Sequence, residues 1–344
     1  MINTLIVDDS ALARDILRDF LEEDGNFRII GEAADGEEGL RKILALNPDL
    51  VTLDLEMPKM NGLEVIEAVM KKVSVPIVVI SSHDTAKTAY EATLKGALEF
   101  YSKDLFTANL NPEKRKEIYE TLKRISGIKS QKNIPVIEPL QFIQPAKRVI
   151  RAVVLASSTG GPKALSRFFS HLAADFSVPI IIVQHNSPGF DESFAQWLGA
   201  FTKLKVKLAE EGEIPRPGTV YIAQTGKHIE LRLADGQTIT GRQDPVLRYN
   251  NGAPENNQKP AADVLFRSAA ESLQSSVISV VLTGMGNDGA AGTKKIREMG
   301  GITLAQDEKS SLIYGMPKAA AETGCVDMVL PLDRIPGELV RLTK

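Results

Sequence analysis

The sequence predicts an α/β protein with two domains, each built around a parallel sheet, and with a small antiparallel hairpin portion in the second. Short apolar strand candidates alternate with amphipathic helical stretches up to about residue 105, and the alternation restarts at residue 149. Between them, residues 127–147 contain three prolines and many polar residues, as linkers do. A chain of 344 residues also exceeds one ordinary core. We therefore predict domains over 1–122 and 149–344, joined by a linker over 123–148.

The composition is typical of a globular protein and argues against several functional classes. Apolar residues make up 43% and charged residues 25% of the chain, and the net charge of -3 does not favour nucleic-acid binding. The N-terminus lacks a signal-peptide pattern, and no apolar run approaches the roughly 20 residues of a transmembrane helix. With Cys325 as the one cysteine, no internal disulfide can form. We expect a cytoplasmic protein that neither binds nucleic acid nor enters a membrane.

The first domain is expected to contain five strands. The strand candidates, in chain order, are TLIVDD, FRIIGEA, LVTLDL, VPIVVIS and GALEFYS. They are separated by helical stretches with apolar residues three or four apart, such as ALARDILRDFLEE and EEGLRKILAL. This alternation favours right-handed crossovers and a parallel sheet covered on both faces. Residues 112–125 are typical of a charged helix that ends the domain or starts the linker.

The second domain repeats this organisation with less regular spacing. Its strand candidates are VIRAVVLAS, VPIIIVQH, TVYIAQ, HIELRL and VISVVLTG. Its helical candidates are GPKALSRFFSHLA, FDESFAQWLGAF, AADVLFRSAAESL and AAGTKKIREMG. Residues 205–241 favour some antiparallel hairpin content. We therefore predict a doubly wound α/β domain with a small antiparallel portion.

Polar side chains mark the ends of four strands in the first domain. Asp8 and Asp9 end the first strand, Asp54 ends the third, Ser81 follows the fourth and Lys103 follows the fifth. These strand ends share one edge of a parallel sheet, so the side chains should meet there. Three clustered carboxylates repel one another unless a cation compensates, and their oxygen atoms suit Mg²⁺. A carboxylate beside Mg²⁺ and an ammonium group is suited to attack phosphorus.

Each of these residues also has an ordinary structural explanation. Asp9 and Ser10 before a helix are more often capping residues than metal ligands. Lys103 by itself is typical of a solvated surface charge. The combination across several strand ends favours a phosphoacceptor site.

The motifs VDDS, LDLEMPKMNG, VVISS and YSK resemble the receiver domain of bacterial response regulators, and the resemblance covers about residues 1–120. It implies a flavodoxin-like five-stranded fold in which Asp54 accepts phosphate from a histidine kinase. It further implies Mg²⁺ ligands at Asp8, Asp9 and Asp54, with a backbone carbonyl near Glu56. Ser81 would contact the phosphoryl group, and Lys103 would pair with it. The sequence departs from the family at Asp104, which replaces the usual proline.

The segment VVLASSTGGPKAL carries the clearest signal in the second domain. A strand ends at Ser157, Ser158 and Thr159, two glycines allow a tight turn, and Pro162 suits the first turn of a helix. Backbone N–H groups at such a corner can stabilise an oxyanion, and they can equally hold a phosphate. The lysine of a phosphate-binding loop is not in place, since Lys163 lies inside the helix start.

Two further residues follow strands that should end at the same edge. His185 follows VPIIIVQ, and Asp288 follows VISVVL in a glycine-rich turn. With Ser158 they supply a nucleophile, a base and an orienting carboxylate, and triads are recognised by geometry and not by chain order. Taken singly, Asp288 is more typical of a turn or cap and Ser158 of an N-cap. Together they favour a serine hydrolase.

The other three histidines are less well placed. His171 lies within a helical pattern and is expected to be structural, and His83 belongs to a loop of the first domain. His228 could line the second site but follows no comparable turn.

Four segments resemble the CheB family, the protein-glutamate methylesterases and glutamine deamidases of bacterial chemotaxis. They are SSTGG at 157–161, QHNSPGF at 184–190, DVLF at 263–266 and TGMGNDGAAG at 283–292. The resemblance covers about residues 149–342, and the family's triad falls on Ser158, His185 and Asp288. Its oxyanion hole would use the backbone N–H groups around Thr159 and Met285.

Three departures from the family pattern concern the neighbours of these residues. Ser157 stands where the family commonly has alanine, and Ser158 is preferred as the nucleophile because it directly precedes Thr-Gly-Gly. Asn186 and Ser187 replace a more apolar pair after the histidine. Gln258 and Lys259 replace a more basic or imidazole-bearing pair, and both pairs bear on substrate contacts more than on the chemistry.

The resemblance implies a phosphorylation-activated hydrolase that removes methyl esters from glutamates of methyl-accepting chemotaxis receptors. A chemotaxis histidine kinase would be the phosphodonor, and the receiver would cover the hydrolase edge until Asp54 is phosphorylated. The hydrolase would need no cofactor, and a monomer is expected. One alternative is a phosphorylation-dependent binding protein that has lost activity. A DNA-binding response regulator is disfavoured, because the second domain lacks a helix-turn-helix pattern and a basic face.

Overall fold

The computed structural model describes residues 1–82, 86–107, 110–128, 149–238 and 243–344. The chain divides into two compact units, Met1–Lys132 and Asn133–Lys344. Most of the predicted linker, residues 129–148, lies outside the described residues. The domain limits given above therefore stay predictions.

The N-terminal unit is a five-stranded parallel sheet with the order β2-β1-β3-β4-β5, as predicted. The strand order reverses beside β1, between β1 and β3, which is the position where such sheets bind ligands. The elements are β1 Ile2–Val7, α1 Ala11–Glu23, β2 Phe27–Ala33, α2 Gly36–Leu46, β3 Leu50–Leu53, α3 Gly62–Lys72, β4 Ile77–Ser81, α4 Ala86–Lys95, β5 Glu99–Ser102 and α5 Pro112–Ser126.

Helices cover both faces of this sheet, which explains why its central strands are continuous apolar runs. Leu5, Ile6 and Leu53 are fully buried. On one side α1 and α5 pack together, and the Tyr119 hydroxyl donates a hydrogen bond of 2.6 Å to the carbonyl of Phe20. The helix α5 extends four residues beyond the predicted domain end at 122, and Ile125 in this extension is fully buried.

The C-terminal unit contains a seven-stranded parallel sheet with the order β14-β13-β12-β6-β7-β9-β8 and a separate antiparallel pair, β10 and β11. This agrees with the predicted doubly wound domain. The elements are β6 Ala152–Ser157, α6 Gly161–Ser170, β7 Ile180–Gln184, α7 Asp191–Gly199, β8 Lys205–Leu208, β9 Thr219–Ile222, β10 His228–Thr238, β11 Gln243–Asn250, α8 Ala262–Leu273, β12 Val277–Val281, α9 Ala290–Glu298, β13 Ile302–Gln306, α10 Met316–Glu322, β14 Met328–Leu330 and α11 Ile335–Leu342.

The antiparallel content predicted near residues 205–241 is present, and it lies in the second half of this range. The strand β8 pairs in parallel with β9 at the end of the main sheet. Antiparallel pairing begins only at His228, which faces Asn250 at the far end of β11. KVKL in β8 alternates polar and apolar residues, a pattern that edge strands and hairpin strands share, so the sequence alone does not distinguish the two kinds of pairing.

The antiparallel pair is anchored to α8, the helix that precedes β12. The N–H of Leu231 donates to Ser268 Oγ at 3.0 Å, and Ser272 Oγ donates to the carbonyl of Leu231 at 2.8 Å. Leu247 and Phe266 are fully buried between these elements. Across all described segments, no helix combines the length and the apolar character that crossing a bilayer requires.

Candidate functional site

The predicted acidic residues of the N-terminal unit meet at the carboxyl edge of its sheet. Carboxylate oxygens of Asp8, Asp9 and Asp54 all lie within 4.8 Å of one another. Asp8 and Asp54 are buried, whereas Asp9 is exposed. A set of three carboxylates with one side open to solvent fits a hard divalent cation such as Mg²⁺, which keeps part of its water shell.

Lys103 supplies a positive charge to the same cluster. Its Nζ lies 2.6 Å from Asp54 Oδ2 and 2.7 Å from Asp8 Oδ2. Burial raises the pKa of Asp8, against the lowering effect of Lys103. Burial alone would lower the pKa of Lys103, but its hydrogen bonds to Asp54 and Asp8 outweigh this and leave the pKa raised. The ammonium group therefore stays charged and offsets part of the repulsion between the carboxylates.

The other carboxylate oxygen of Asp54, Oδ1, accepts hydrogen bonds from a side chain and from the backbone. Ser81, the last residue of β4, donates its hydroxyl to Asp54 Oδ1 at 2.7 Å, and the N–H of Leu55 donates to the same oxygen at 2.7 Å. The capping role considered for the start of α1 is also present, since Ser10 Oγ accepts from the N–H of Ala13. The residues after β1 therefore serve both the helix and the acidic cluster.

In the C-terminal unit, the two adjacent serines have different environments. Ser157 ends β6, is fully buried and donates its hydroxyl to Gln184 Oε1 at 2.7 Å. Ser158 follows at the turn into α6 and is half-buried. Gly160 at this turn has a φ of 75°, a left-handed conformation that glycine adopts without strain. Of the two serines, Ser158 is the one that is partly exposed to solvent.

Gln184, at the end of β7, joins the serine and histidine segments. Its Nε2 donates to the carbonyl of Ser158 at 3.2 Å and to the carbonyl of His185 at 3.0 Å. The N–H of His185 donates to the carbonyl of Ser157 at 3.1 Å. Because β6 and β7 are neighbours, these bonds fix His185 beside the serine turn.

His185 and Asp288 form a buried pair. His185 Nε2 lies 2.9 Å from Asp288 Oδ2, and the two side chains are 7% and 2% exposed. A carboxylate can only accept a hydrogen bond, so Nε2 carries the proton of this bond. His185 Nδ1 is buried and has no hydrogen-bond partner among the described residues. Nδ1 is therefore the nitrogen that carries the lone pair of the neutral ring.

Asp288 is also the cap of α8, whose first turn has no side-chain cap of its own. Oδ2 accepts from the N–H of Ala262 at 2.6 Å, and Oδ1 accepts from the N–H groups of Asp263 at 3.0 Å and Gly289 at 3.1 Å. Burial raises the pKa of Asp288, but the bonds from His185 and from these backbone groups outweigh it and hold the pKa below its usual value. The helix N-terminus thus keeps Asp288 charged.

Two backbone segments border Ser158. Within the described residues, the N–H of Thr159 has no acceptor, and Thr159 is held by Thr283 Oγ1, which donates to its carbonyl at 3.0 Å. Across the turn, Gly284 lies so close that a Cβ there would be 2.8 Å from Ser158 Cβ. Met285 follows directly and is half-buried. The site lies at the carboxyl ends of β6, β7 and β12, where the strand order reverses.

Comparison with known proteins decides the family. The profile described as CheB methylesterase matches residues 153–339, and that of the response regulator receiver domain matches residues 4–112. A Pyrococcus abyssi protein named protein-glutamate methylesterase/protein-glutamine glutaminase is 39% identical over 99% of this chain and 93% of its own length. A Clostridium acetobutylicum protein of the same name is 38% identical over 100% and 98%.

The chain belongs to the CheB methylesterase family.

A solved structure agrees with this conclusion. The crystal structure of the Thermotoga maritima CheB methylesterase catalytic domain matches with a TM-score of 0.53 and 39% identity, over 56% of this chain and 98% of that one. The protein is thus a chemotaxis response regulator in which a receiver domain is joined to a hydrolase domain of the methylesterase/glutaminase type. The resemblance seen in the sequence motifs is confirmed.

Several residues that shape the methylesterase site were not predicted from the sequence. Gln184 lies in the segment QHNSPGF and Asp263 in DVLF, but neither motif indicates what these two side chains bond. Asn256 Nδ2 donates to Asp263 Oδ2 at 2.9 Å and to Asp288 Oδ1 at 3.2 Å. The sequence could have indicated Gln184 and Asp263 only through their position in motifs with predicted site residues.

The remaining histidines have structural surroundings where they are described. His228 is buried, accepts from the N–H of Ala261 at 3.1 Å and bonds the carbonyl of Ala253 at 2.9 Å. It therefore supports the loop before α8. His171 ends α6 at the surface, and His83 lies outside the described residues.

Proposed function

We propose that Ser158, His185 and Asp288 form the catalytic triad that hydrolyses methyl esters of glutamate side chains on methyl-accepting chemotaxis receptors. The observation that carries this proposal is the buried bond between His185 Nε2 and Asp288 Oδ2, 2.9 Å long, beside the half-buried Ser158. In a triad of this kind the serine attacks, the histidine transfers the proton and the aspartate orients the ring. Family membership supports the same assignment.

The first half of the reaction forms an acyl-enzyme. Ser158 Oγ bonds to the ester carbonyl carbon while His185 Nδ1 takes the hydroxyl proton, and the carbonyl electron pair moves onto oxygen. The N–H groups of Thr159 and Met285 donate to this oxyanion. When the electron pair returns, the bond between carbon and the methoxy oxygen breaks. Methoxide takes the proton from Nδ1 and leaves as methanol.

The second half restores the enzyme. Water adds to the acyl carbon and gives a proton to His185 Nδ1, and the new tetrahedral intermediate expels Ser158 Oγ. Ser158 Oγ takes the proton from Nδ1 as it leaves, and the product is a glutamate carboxyl group. With a glutamine side chain the leaving group is ammonia, so the same residues serve deamidation.

The receiver domain would control this reaction through Asp54, which we propose accepts a phosphoryl group from a chemotaxis histidine kinase. Asp8, Asp9 and Asp54 would hold Mg²⁺, which when bound offsets negative charge on the phosphoryl oxygens. Lys103 would pair with the phosphoryl group, and Ser81 would donate a hydrogen bond to it. We further propose that the protein acts in the cytoplasm, as a monomer, and without nucleic acid.

The experiment that tests the nucleophile is methanol release from membranes with methylated chemoreceptors. Ser158→Ala should abolish release, because it removes the attacking oxygen, while Ser157→Ala should retain it. Both variants must show the circular dichroism of the folded protein. Loss of activity in Ser157→Ala alone would assign the nucleophile to the neighbouring serine. No release by the folded wild type would favour the binding-protein alternative.

A further inference from the structure

A second buried carboxylate lies directly behind Asp288 and has no part in the mechanism above. Asp263, in the first turn of α8, is 2% exposed. Its Oδ1 accepts from the N–H of Gly292 at 2.6 Å, and its backbone N–H donates to Asp288 Oδ1 at 3.0 Å. Asp263 therefore bonds α9 through its side chain and the Asp288 carboxylate through its backbone N–H.

Asn256 connects the two carboxylates. Its Nδ2 lies 2.9 Å from Asp263 Oδ2 and 3.2 Å from Asp288 Oδ1. The residue has a φ of 52°, in the left-handed region, which asparagine tolerates better than most residues. This conformation turns the amide of an otherwise exposed residue towards the buried pair. The Asn256 amide thus donates to both carboxylates, that of Asp288, which binds His185, and that of Asp263.

The charges around Asp263 leave its own charge uncancelled. Glu255 and Arg267 approach from the preceding loop and from the next turn of α8, but they bind each other through two contacts of 2.5 and 2.6 Å. From α9 the contact is the uncharged N–H of Gly292. Burial, and next the charge of Asp288, raise the pKa of Asp263 to about 6 in spite of its hydrogen bonds. Above that pH the group is ionised and adds a second negative charge.

We propose that Asp263 is a positioning residue of the hydrolase, a second carboxylate that acts through Asp288 to hold the His185 ring and to raise its proton affinity. This inference rests on the proposed triad. A negative charge near an imidazole favours its protonated form. Asn256 acts in the opposite sense, because its N–H group withdraws negative charge from both carboxylates.

The pH dependence of kcat/KM for methyl ester hydrolysis by the full chain tests the proposal. Asp263→Asn keeps the size of the side chain and removes its charge. The imidazolium is then less stable, so the acid limb of the profile should move to lower pH, by about half a unit or more. The rate on the plateau should fall several-fold, since His185 becomes the weaker base.

A second variant predicts a shift of the opposite sign. Asn256→Gly accepts the left-handed backbone without strain and removes the shared donor. Asp288, which stays charged, then presents more negative charge to His185, and the acid limb should move to higher pH. Because Asn256 is exposed, this variant tests the proposal even if Asp263→Asn fails to fold.

The matched control is Asp327→Asn. Asp327 also caps buried backbone, since its Oδ2 accepts from the N–H of Thr303 at 2.9 Å, but it belongs to the edge of the sheet beside β14. Loss of the Asp327 charge should lower the melting temperature and leave the acid limb of the kcat/KM profile unshifted.

The outcomes separate this inference from the proposed triad. An unshifted acid limb in Asp263→Asn and Asn256→Gly, or a rate loss that is equal at every pH, would overturn the role of Asp263. If Ser158→Ala or His185→Gln retains the wild-type rate in the same assay, the triad itself is wrong. Shifts of opposite sign in the two variants would support the proposal.

Discussion

His185 is bonded to Asp288 through Nε2 at 2.9 Å, and its other ring nitrogen, Nδ1, has no hydrogen-bond partner among the described residues. The same Asp288 oxygen also accepts from the N–H of Ala262 at 2.6 Å, at the start of α8. The orientation of the imidazole is therefore set by a helix N-terminus as well as by the aspartate.

Asp288→Asn should lower kcat by about 10³-fold or more with a much smaller change in KM. The new amide would donate to His185 Nε2, so the ring proton would move to Nδ1 and the base would be lost. Steady-state rates of methanol release measure this effect. A kcat within a few-fold of wild type, in folded protein, would contradict the assigned role of Asp288.

Gln184→Met should destabilise the hydrolase domain by about 3 kcal/mol, because the side chain makes three hydrogen bonds that buried groups cannot replace. Ser157→Ala loses one of them and should cost about 1 kcal/mol. Denaturant unfolding followed by the fluorescence of Trp197, the single tryptophan, reports on this domain. Equal losses in the two variants would mean that Gln184 does not join the two segments.

Gly284→Ala should reduce kcat by about 10²-fold, because the added methyl group overlaps Met316 and pushes against Ser158. Gly337→Ala is the matched control: it lies in α11 with nothing within 4 Å of the added carbon. The control should retain full activity and gain slightly in stability, since alanine favours helices. Full activity of Gly284→Ala would show that the serine turn tolerates displacement.

Lys103→Met should reduce the stimulation of methanol release by a small phosphodonor by about tenfold or more, while unstimulated release stays near wild type. The variant removes the ammonium that contacts both Asp54 and Asp8. The control is Lys59→Met, which removes an exposed lysine paired with Asp35 at 2.6 Å in the same domain. That control should respond as wild type does. Normal stimulation of Lys103→Met would exclude a direct role in phosphoryl transfer.

Much of this structure could be predicted because strand ends are easy to locate. The apolar strands IIIVQ and VISVV lie shortly before His185 and Asp288. Parallel pairing brings the carboxyl ends of these strands to one edge of the sheet. The predicted five-stranded sheet and the doubly wound second domain follow from the same alternation. The family motifs added the choice between Ser157 and Ser158, which the burial of Ser157 supports.

The parts that escaped prediction depend on contacts between distant segments. The strand β14 has three residues, too few for a periodic pattern, and β8 carries the alternation of an edge strand. Asn256 reaches the site only because its backbone adopts a left-handed conformation. The bond from Asp263 to Gly292 spans 29 residues and leaves no local signal.

One measurement tests both the serine triad, which we propose hydrolyses receptor methyl esters, and the control of this reaction by Asp54. Initial rates of methanol release from methylated chemoreceptor membranes are compared with and without a small phosphodonor and Mg²⁺. The wild type should respond to the phosphodonor, Asp54→Asn should release methanol at the unstimulated rate only, and Ser158→Ala should release none. Release by Ser158→Ala at the wild-type rate, or equal stimulation of Asp54→Asn, would contradict the account.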